Sequence, residues 1–345
     1  MKLESYVLGR WRAGEGEGSA LRDATTGAVV AQATTAGFDW AAILDYARRT
    51  GGPALRAATF HERAAILRAL GKRLLELKEE FYELSFRTGA TRADSWIDID
   101  GGIGTLLVFA SKGARELPNA RLLLDGEVEP LSKRGTFVGQ HVFLPLEGAA
   151  IHINAFNFPV WGMLEKLAPA ILAGLPVIVK PATATAYLTE RVVRRIVETG
   201  LLPDGALQLI AGGAGGLFEH LGCQDVVSFT GSASTAAKLR THPTVVRHSV
   251  RFLAETDSLN SSILGPDAVP GTAEFDLYVA EVVREMTAKA GQKCTAIRKA
   301  IVPQAQAEAV TEAIAAALDA VIVGDPREAG VGMGPLASLD QRREV

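Results

Sequence analysis

The sequence predicts an α/β protein built on a parallel, doubly wound sheet. From Gly148 onward, short apolar segments alternate with longer segments of helical periodicity. Most of the apolar segments run into polar or glycine-rich stretches, and the chain contains 35 glycines and 48% hydrophobic residues. Strands that alternate with helices at this spacing indicate crossover connections, which join parallel strands.

The first hundred residues are predicted to be mostly helical. Thr59 and Glu62 have the spacing of a capping box, in which each side chain satisfies a free backbone N–H at a helix start. Apolar residues then recur every three or four positions, and Gly89 is placed to end the helix. A second helix is predicted at 100–116, interrupted early by glycines. Residues 122–145 are expected to be irregular or short-stranded and to serve oligomerisation.

The alternating part yields explicit boundaries. Strands are predicted at 149–153, 176–180, 206–211 and 226–230, and helices at 161–173, 184–198, 217–221 and 232–240. Ligands of such sheets bind beyond the carboxyl ends of the strands. The nucleotide-binding candidates at those ends are Asn154, Lys180, Thr183, Gly212, Gly215, Phe229, Thr230, Gly231 and Ser232.

These loops indicate a nucleotide site without the common dinucleotide fingerprint, because no segment has Gly-x-Gly-x-x-Gly spacing. Thr230-Gly231-Ser232 leads from a strand into a helix, where backbone N–H groups favour a pyrophosphate. Lys180, at the end of an apolar strand, is suited to a ribose or phosphate. A solvated surface lysine is the alternative interpretation of Lys180.

Cys294 is the candidate nucleophile, and Glu255 is the candidate base. Thiols need a base or a lowered pKa to attack, and a carboxylate can activate water for a second, hydrolytic step. A lone cysteine is often a small buried side chain, but the Gly-Gln-Lys-Cys-Thr context of Cys294 is polar. Cys223, which follows Gly222, is expected to pack instead.

Composition excludes several classes of protein. Lysine plus arginine number 36 against 39 acidic residues, a formal charge of −3 that argues against nucleic-acid binding. Two cysteines cannot form a disulfide framework and fit a reducing compartment. No apolar run approaches a membrane span, and the N-terminus lacks the pattern of a signal peptide. A cytoplasmic protein without a metal site or membrane partner is expected.

The motifs in their order resemble those of the aldehyde dehydrogenase superfamily over nearly the whole chain. They are Asn157-Phe158-Pro159, Lys180-Pro181, Phe229-Thr230-Gly231-Ser232, Glu255 and Gly291-Gln292-Lys293-Cys294. Further segments resemble the dehydrogenases of phenylacetate degradation and, as a related branch, those of the benzoyl-CoA epoxidation pathway. They are Thr88–Trp96, Asp98–Ile103, Ile153–Pro159, Lys180–Ala186, Asp257–Asn260 and Val283–Thr287.

The resemblance implies a mechanism and a fold. Cys294 would attack the aldehyde, Asn157 would hold the oxyanion, and Glu255 would activate the hydrolytic water. The resemblance implies a nucleotide-binding domain over 1–253 and a catalytic domain from 254 to 345. It also implies that the protein forms a homo-oligomer. The substrate implied is a CoA-linked semialdehyde. Thr183 stands where NAD-preferring members often carry a glutamate, so NADP is expected, with NAD the alternative.

Departures from the family pattern leave alternatives open. Ala155-Phe156 replaces Pro-Trp, and Thr256-Asp257-Ser258 replaces Leu-Gly-Gly after the base. The chain is expected to be cut short before the late family motifs, and a hydratase domain is a possible further part. A CoA-acylating dehydrogenase, which needs no Glu255, and an inactive fragment with a binding role are the alternative functions.

Overall fold

The computed structural model describes residues 1–344. The strands are β1 Ser5–Val7, β2 Arg10–Arg12, β3 Ser19–Arg22, β4 Val29–Ala33, β5 Leu123–Pro130, β6 Val138–Phe143, β7 Ala150–Ile153, β8 Val177–Lys180, β9 Leu207–Leu209, β10 Val226–Thr230, β11 Arg251–Glu255, β12 Asn260–Ile263 and β13 Ile297–Ile301. The α-helices are α1 Trp40–Tyr46, α2 Gly52–Ala57, α3 Phe60–Glu76, α4 Lys78–Ser85, α5 Arg92–Glu116, α6 Trp161–Leu172, α7 Ala186–Glu198, α8 Ala233–Arg240, α9 Pro243–Arg247, α10 Ala273–Thr287, α11 Ala307–Asp319 and α12 Leu339–Glu344.

The main sheet has seven strands in the order β11-β10-β7-β8-β9-β1-β2. The five strands from β11 to β9 are parallel, as predicted. The chain runs from β7 outward to β8 and β9, and then returns to add β10 and β11 on the other side. The order therefore reverses between β7 and β10, which is the point where doubly wound sheets bind ligands.

The N-terminal part corrects the prediction of a mostly helical first hundred residues. Four strands lie within the first 33 residues, and β1 and β2 extend the main sheet in antiparallel pairing. These strands are three to five residues long. Such short segments carry too little periodicity to stand out from loops in the sequence.

Helix α3 begins as predicted, with a complete capping box between Thr59 and Glu62. The helical stretch then divides at Leu77, whose φ of −103° and ψ of 1° are not helical, and resumes as α4. Gly89 ends this region with a φ of 85°, a conformation that glycine adopts without strain. The stop signal was therefore correct, whereas the break at Leu77 had no Gly or Pro to mark it.

Helix α5 corrects a second prediction. It begins at Arg92, behind another capping box between Thr91 and Asp94, and continues without interruption through Gly101 and Gly102. The glycines serve packing, since a Cβ on Gly102 would lie 2.7 Å from the Cα of Trp161 on α6. They allow two helices to approach closely, which a local sequence pattern does not reveal.

Apolar cores lie on both faces of the main sheet, and a third lies around the two-stranded sheet of β12 and β13.

Strand β11 pairs with β10 through Glu255, so the boundary expected at residue 253 falls inside a strand of the main sheet. The 122–145 segment forms the hairpin β5–β6, whose strands of eight and six residues are the longest described, so the prediction of an irregular or short-stranded segment was wrong. Its large apolar side chains are exposed at Leu124, Val128, Leu131, Phe137, Val138, Val142, Phe143 and Leu144. Within residues 1–344, no helix is both long and apolar enough to cross a bilayer.

Candidate active site

The parallel strands bring most of the candidate residues to one edge of the main sheet. Glu255 ends β11, Thr230 ends β10, and Lys180 ends β8. The register pairs Thr230 with Glu255 and Ile153 with Lys180, so these strand ends lie side by side. The five parallel strands present about 19 Å of edge, from four inter-strand steps of about 4.8 Å.

One pocket of about 870 Å³ opens at this edge, beside the β12–β13 sheet. The predicted site residues that line it are Asn157, Thr230, Gly231, Glu255 and Cys294. Cys294 and Glu255, which lie far apart in sequence, therefore share one cavity, as the sequence led us to expect. Helix α6 contributes Trp161, Gly162 and Glu165 to the opposite wall.

Cys294 precedes β13 and is exposed to the pocket. Partial burial of the sulfur raises its pKa, and the negative charge of Glu255 raises it further. The backbone N–H groups of Cys294 and Thr295 oppose these two effects. The resting thiol is therefore protonated near neutral pH and has a carboxylate beside it to receive its proton.

The loop before Cys294 is tied down by polar contacts. Lys293 forms an ion pair with Glu285 of α10 at 2.8 Å, with only 8% and 14% of the two side chains exposed. The Cys294 carbonyl accepts hydrogen bonds from Ser258 and from the Asn260 amide. These contacts fix the backbone on both sides of the nucleophile.

Asn157 links its own segment to this loop. Its Nδ2 donates to the Gln292 carbonyl at 2.8 Å, and its Oδ1 accepts from the Phe158 N–H at 3.1 Å. An amide nitrogen has two N–H donors, so one remains for a ligand in the pocket. The Asn157 amide is thus held facing the chain segment that carries the thiol.

Glu255 is exposed at the end of β11. Its Oε2 accepts a hydrogen bond from the Thr230 hydroxyl at 3.3 Å, and its carbonyl accepts from the Gly231 N–H at 3.1 Å. The carboxylate keeps free lone pairs on the pocket side, where it can accept a proton from the thiol or from water.

Polar groups further along the edge lack partners in the protein. Asn154 is 3% exposed, yet neither its Oδ1 nor its Nδ2 has a hydrogen-bond partner within residues 1–344. Lys180 forms no ion pair with any of the described residues, and burial lowers its pKa. Buried polar groups are normally satisfied. The buried, unsatisfied Asn154 amide and the half-buried, unpaired Lys180 ammonium fit a polar ligand such as a nucleotide.

The remaining nucleotide candidates do not line the pocket. Ser232 is exposed and caps α8, accepting from the Thr235 N–H. Phe229 is 4% exposed, and its ring packs in the core against Gly231. Gly212 lies against Thr34 and Thr35, and Gly215 against Trp40. Thr183 begins a short 3₁₀ turn after β8.

Cys223 corrects a further expectation, because it is exposed rather than packed. It lies in the turn before β10, away from the pocket lining, and its carbonyl accepts from Arg251 at 3.2 Å. Access alone therefore does not separate the two thiols. Among residues 1–344, no three His, Cys, Asp or Glu side chains are grouped to hold a metal ion.

Several residues that organise the site had been given no role from the sequence. They are Asp94, Asp98, Ser258, Asn260, Glu285, Lys289 and Lys293. Most lie in the segments that carried the resemblance to the phenylacetate branch. The segments were recognisable, but the contacts between them depend on tertiary proximity that sequence spacing does not show.

Comparisons with known proteins agree with this geometry. The chain is 50% identical to a 3,4-dehydroadipyl-CoA semialdehyde dehydrogenase from Aromatoleum evansii, over 99% of this chain and 66% of that protein. It is 30% identical to an alpha-ketoglutaric semialdehyde dehydrogenase from Bacillus subtilis, over 70% of this chain and 46% of that protein. The chain thus spans at most about two thirds of the length of these relatives.

Solved structures share the fold. The betaine aldehyde dehydrogenase of Staphylococcus aureus, solved with NAD+, has a TM-score of 0.84 at 22% identity, covering 100% of this chain and 66% of that one. An NADP dependent enzyme of E. coli has a TM-score of 0.80 at 21% identity, covering 98% and 68%. The family model described as the aldehyde dehydrogenase family matches residues 11–345. The chain therefore belongs to the aldehyde dehydrogenase family.

Proposed function

We propose that this protein oxidises an aldehyde to the carboxylic acid, with a nicotinamide dinucleotide as the hydride acceptor. The observation that carries the proposal is the convergence of Cys294, Glu255 and Asn157 on one pocket at the switch point of the sheet. A nucleophile, a base and an amide donor are the three groups that such a reaction needs.

In the first step, Glu255 accepts the thiol proton and the sulfur of Cys294 attacks the carbonyl carbon. The carbonyl oxygen becomes an oxyanion, which the free N–H of Asn157 and the backbone N–H of Cys294 stabilise. Removing one such donor typically costs about 3–4 kcal/mol of barrier. The tether from Asn157 to Gln292 supports this role, because it holds the amide in place before the charge develops.

A bound nicotinamide would supply the hydride acceptor that oxidation of the thiohemiacetal to a thioester requires. Asn154, Lys180, Thr230 and Ser232 are the residues suited to hold the dinucleotide along the strand ends. Glu255 releases the thiol proton to solvent and then removes a proton from water, which attacks the thioester and releases the acid and the Cys294 thiolate. Glu255 finally returns that proton to the thiolate and so restores the resting thiol. The free lone pairs of Glu255 on the pocket side support this second use of the same base.

The substrate we propose is a CoA-linked semialdehyde. The 50% identical relative is named for such a substrate, and a pocket of about 870 Å³ is large for a small aldehyde. Gly162 lies inside α6 and lines the pocket, yet a Cβ there would meet nothing nearer than 3.8 Å. The absence of a side chain at Gly162 leaves that volume to the pocket.

The deciding assay measures reduced cofactor from the purified full chain with a CoA-linked aliphatic semialdehyde and with the matching CoA-free aldehyde. We expect turnover without added CoA, and a higher kcat/KM for the CoA-linked compound. A strict requirement for free CoA as acyl acceptor would indicate an acylating dehydrogenase instead. Absence of any hydride transfer would refute the proposed function.

For the cofactor we propose NADP. Thr183 carries no charge to repel a ribose 2′-phosphate, and the Lys180 ammonium has no protein partner. We therefore expect Thr183→Glu to lower kcat/KM for NADP at least about tenfold and to raise it for NAD. Thr183→Gln is the matched control, because it adds bulk without charge. Equal or better kcat/KM with NAD in the unaltered protein would contradict the proposal.

A further inference from the structure

Two carboxylates on α5 hold the backbone of two different segments of the site. Asp94 and Asp98 are four residues apart, so they share one face of the helix, and both are buried. Asp98 accepts from the backbone N–H of Trp161 at 2.8 Å and of Val160 at 3.2 Å. Asp94 accepts from the backbone N–H of Lys289 at 2.8 Å. The segment that follows Asn157 and the loop that precedes Cys294 are thus fixed to the same helix.

The bonds to Asp98 satisfy the start of α6. The N-cap residue of this helix is Val160, which has no side-chain oxygen to accept from the first N–H groups. Those groups have no partner within a helix, and negative charge is favourable beside them. Asp98 therefore replaces the missing cap, and its ionised form is the better acceptor for two N–H donors.

Lys289 occupies an unusual position in the nucleophile loop. It is 6% exposed, and its φ of 54° is left-handed, as are those of Ala290 at 52° and Gly291 at 70°. Residues with a Cβ rarely adopt this conformation, which persists where surrounding contacts impose it. Asp94 bonds the Lys289 N–H, and Gln292 donates to its carbonyl through both its backbone at 3.1 Å and its side chain at 2.8 Å.

The Lys289 ammonium lies between the two tethered segments. Its Nζ is 5.3 Å from the centre of the Phe158 ring, and its side chain lines a narrow cavity together with Asn157 and Gln292. Burial lowers the pKa of Lys289, and the charges of Asp98 and Asp94 oppose that shift. Burial also raises the pKa of Asp98 to about 6, and Lys289 opposes it. Each charge therefore helps to keep the other ionised.

We propose that Lys289 is a positioning residue: its buried ammonium lies over the Phe158 ring, between the two segments that Asp94 and Asp98 tether to α5, and the three side chains together hold Asn157 and Cys294 in register for attack on the carbonyl. The inference rests on the proposed function, from which the roles of Asn157 and Cys294 come.

The other charged side chains around α5 have partners elsewhere. Lys78 pairs with Asp100, Arg92 with Glu79, Lys166 with Glu165, and Arg63 with the carbonyls of Leu55, Ala58 and Leu172. Lys289 is accordingly the cation whose charge acts on Asp98, together with the N–H groups at the start of α6.

The test compares Lys289→Met, Asp98→Asn and the double variant in the full chain, with Lys289→Arg as the conservative variant. The control is Lys112→Met, which removes an exposed lysine from α5, the helix that carries Asp98. Lys289→Met and Asp98→Asn each leave a buried charge without its partner, so each is expected to lower Tm. The double variant should recover most of the lost Tm. In Lys289→Met, Asp98→Asn and the double variant, we expect kcat to fall about ten- to a hundredfold because the reacting groups are misplaced. The KM for the cofactor should stay unchanged.

The pH profile separates positioning from packing. Without Lys289, Asp98 is protonated more readily, so the acid limb of kcat moves to higher pH in Lys289→Met and stays in place in Lys289→Arg. A double variant with both Tm and kcat of the unaltered protein would overturn the proposal, as would the absence of any recovery of Tm. The unaltered chain could oxidise no aldehyde while the double variant still recovers the Tm lost in the single variants. The proposed function would then fail, and Lys289 and Asp98 would have a structural role only.

Discussion

The two halves of the strand-end edge differ in how their polar groups are used. Around Cys294 most of the groups are saturated: Lys293 has its ion pair, and the amides of Asn260 and of Asn157, which keeps one N–H free, bond the loop backbone. Further along the same edge, Asn154 and Lys180 have no protein partner. Saturated groups fix geometry, whereas unsatisfied ones are available to a ligand at the expense of stability. Under the proposed function, the contrast separates the groups assigned to the chemistry from those assigned to the cofactor.

The largest effect is expected at the nucleophile. Cys294→Ser retains the size and the hydrogen-bonding ability of the side chain but replaces a thiol with a far less acidic hydroxyl. We expect kcat to fall by at least about a thousandfold, with no change in Tm or in cofactor affinity. Cys223→Ser is the matched control and should retain full activity. Residual turnover within tenfold of the unaltered protein would contradict the assignment of Cys294.

Two smaller effects of opposite sign are expected at Lys180: weaker binding of the cofactor, and a Tm that is equal or higher. Lys180→Met removes a charge-assisted contact worth about 1.5–3 kcal/mol, so the cofactor Kd should rise about ten- to a hundredfold. Tm should stay the same or increase, because burial penalises the ammonium and lowers its pKa in the folded state. The folded chain thus gains nothing from this charge at neutral pH. Fluorescence titration of the cofactor measures Kd, and calorimetry measures Tm. A lower Tm with an unchanged Kd would show that Lys180 has a structural role and does not bind the cofactor.

The smallest effect concerns the reactivity of the thiol. After partial burial, the carboxylate of Glu255 is the next cause that raises the pKa of Cys294. Glu255→Gln should therefore shift the pH midpoint of iodoacetamide alkylation downward and increase the rate at pH 7 several-fold. The measurement belongs in a Cys223→Ser background, because both thiols are exposed. Turnover should nevertheless fall, since the hydrolytic step loses its base. Slower alkylation would show that Glu255 activates the thiol at rest.

The sequence was most informative where function depends on local order. The strand and helix pattern after Gly148 predicted the parallel sheet, and the motifs at the strand ends predicted which residues meet at its edge. The contributions of β1 and β2 were missed because strands of three residues have no measurable period. The tethers from α5 were missed because Asp94 and Lys289 lie 195 positions apart. The burial of the Phe229 side chain was not foreseen for a related reason, since a motif names a segment and not the direction of each side chain.

The contact between the glycines of α5 and Trp161 has an evolutionary consequence. Trp161 lines the pocket with one part of its surface and rests on Gly101 and Gly102 with another. A methyl group gained at Gly101 would lie 2.4 Å from the indole of Trp161 and displace it, and one gained at Gly102 would displace the Trp161 backbone, so either change would reshape the cavity from behind. Selectivity for bulky or small aldehydes can thus drift through changes that never touch the substrate. A lineage could acquire a new preference while every residue facing its substrate remained the same.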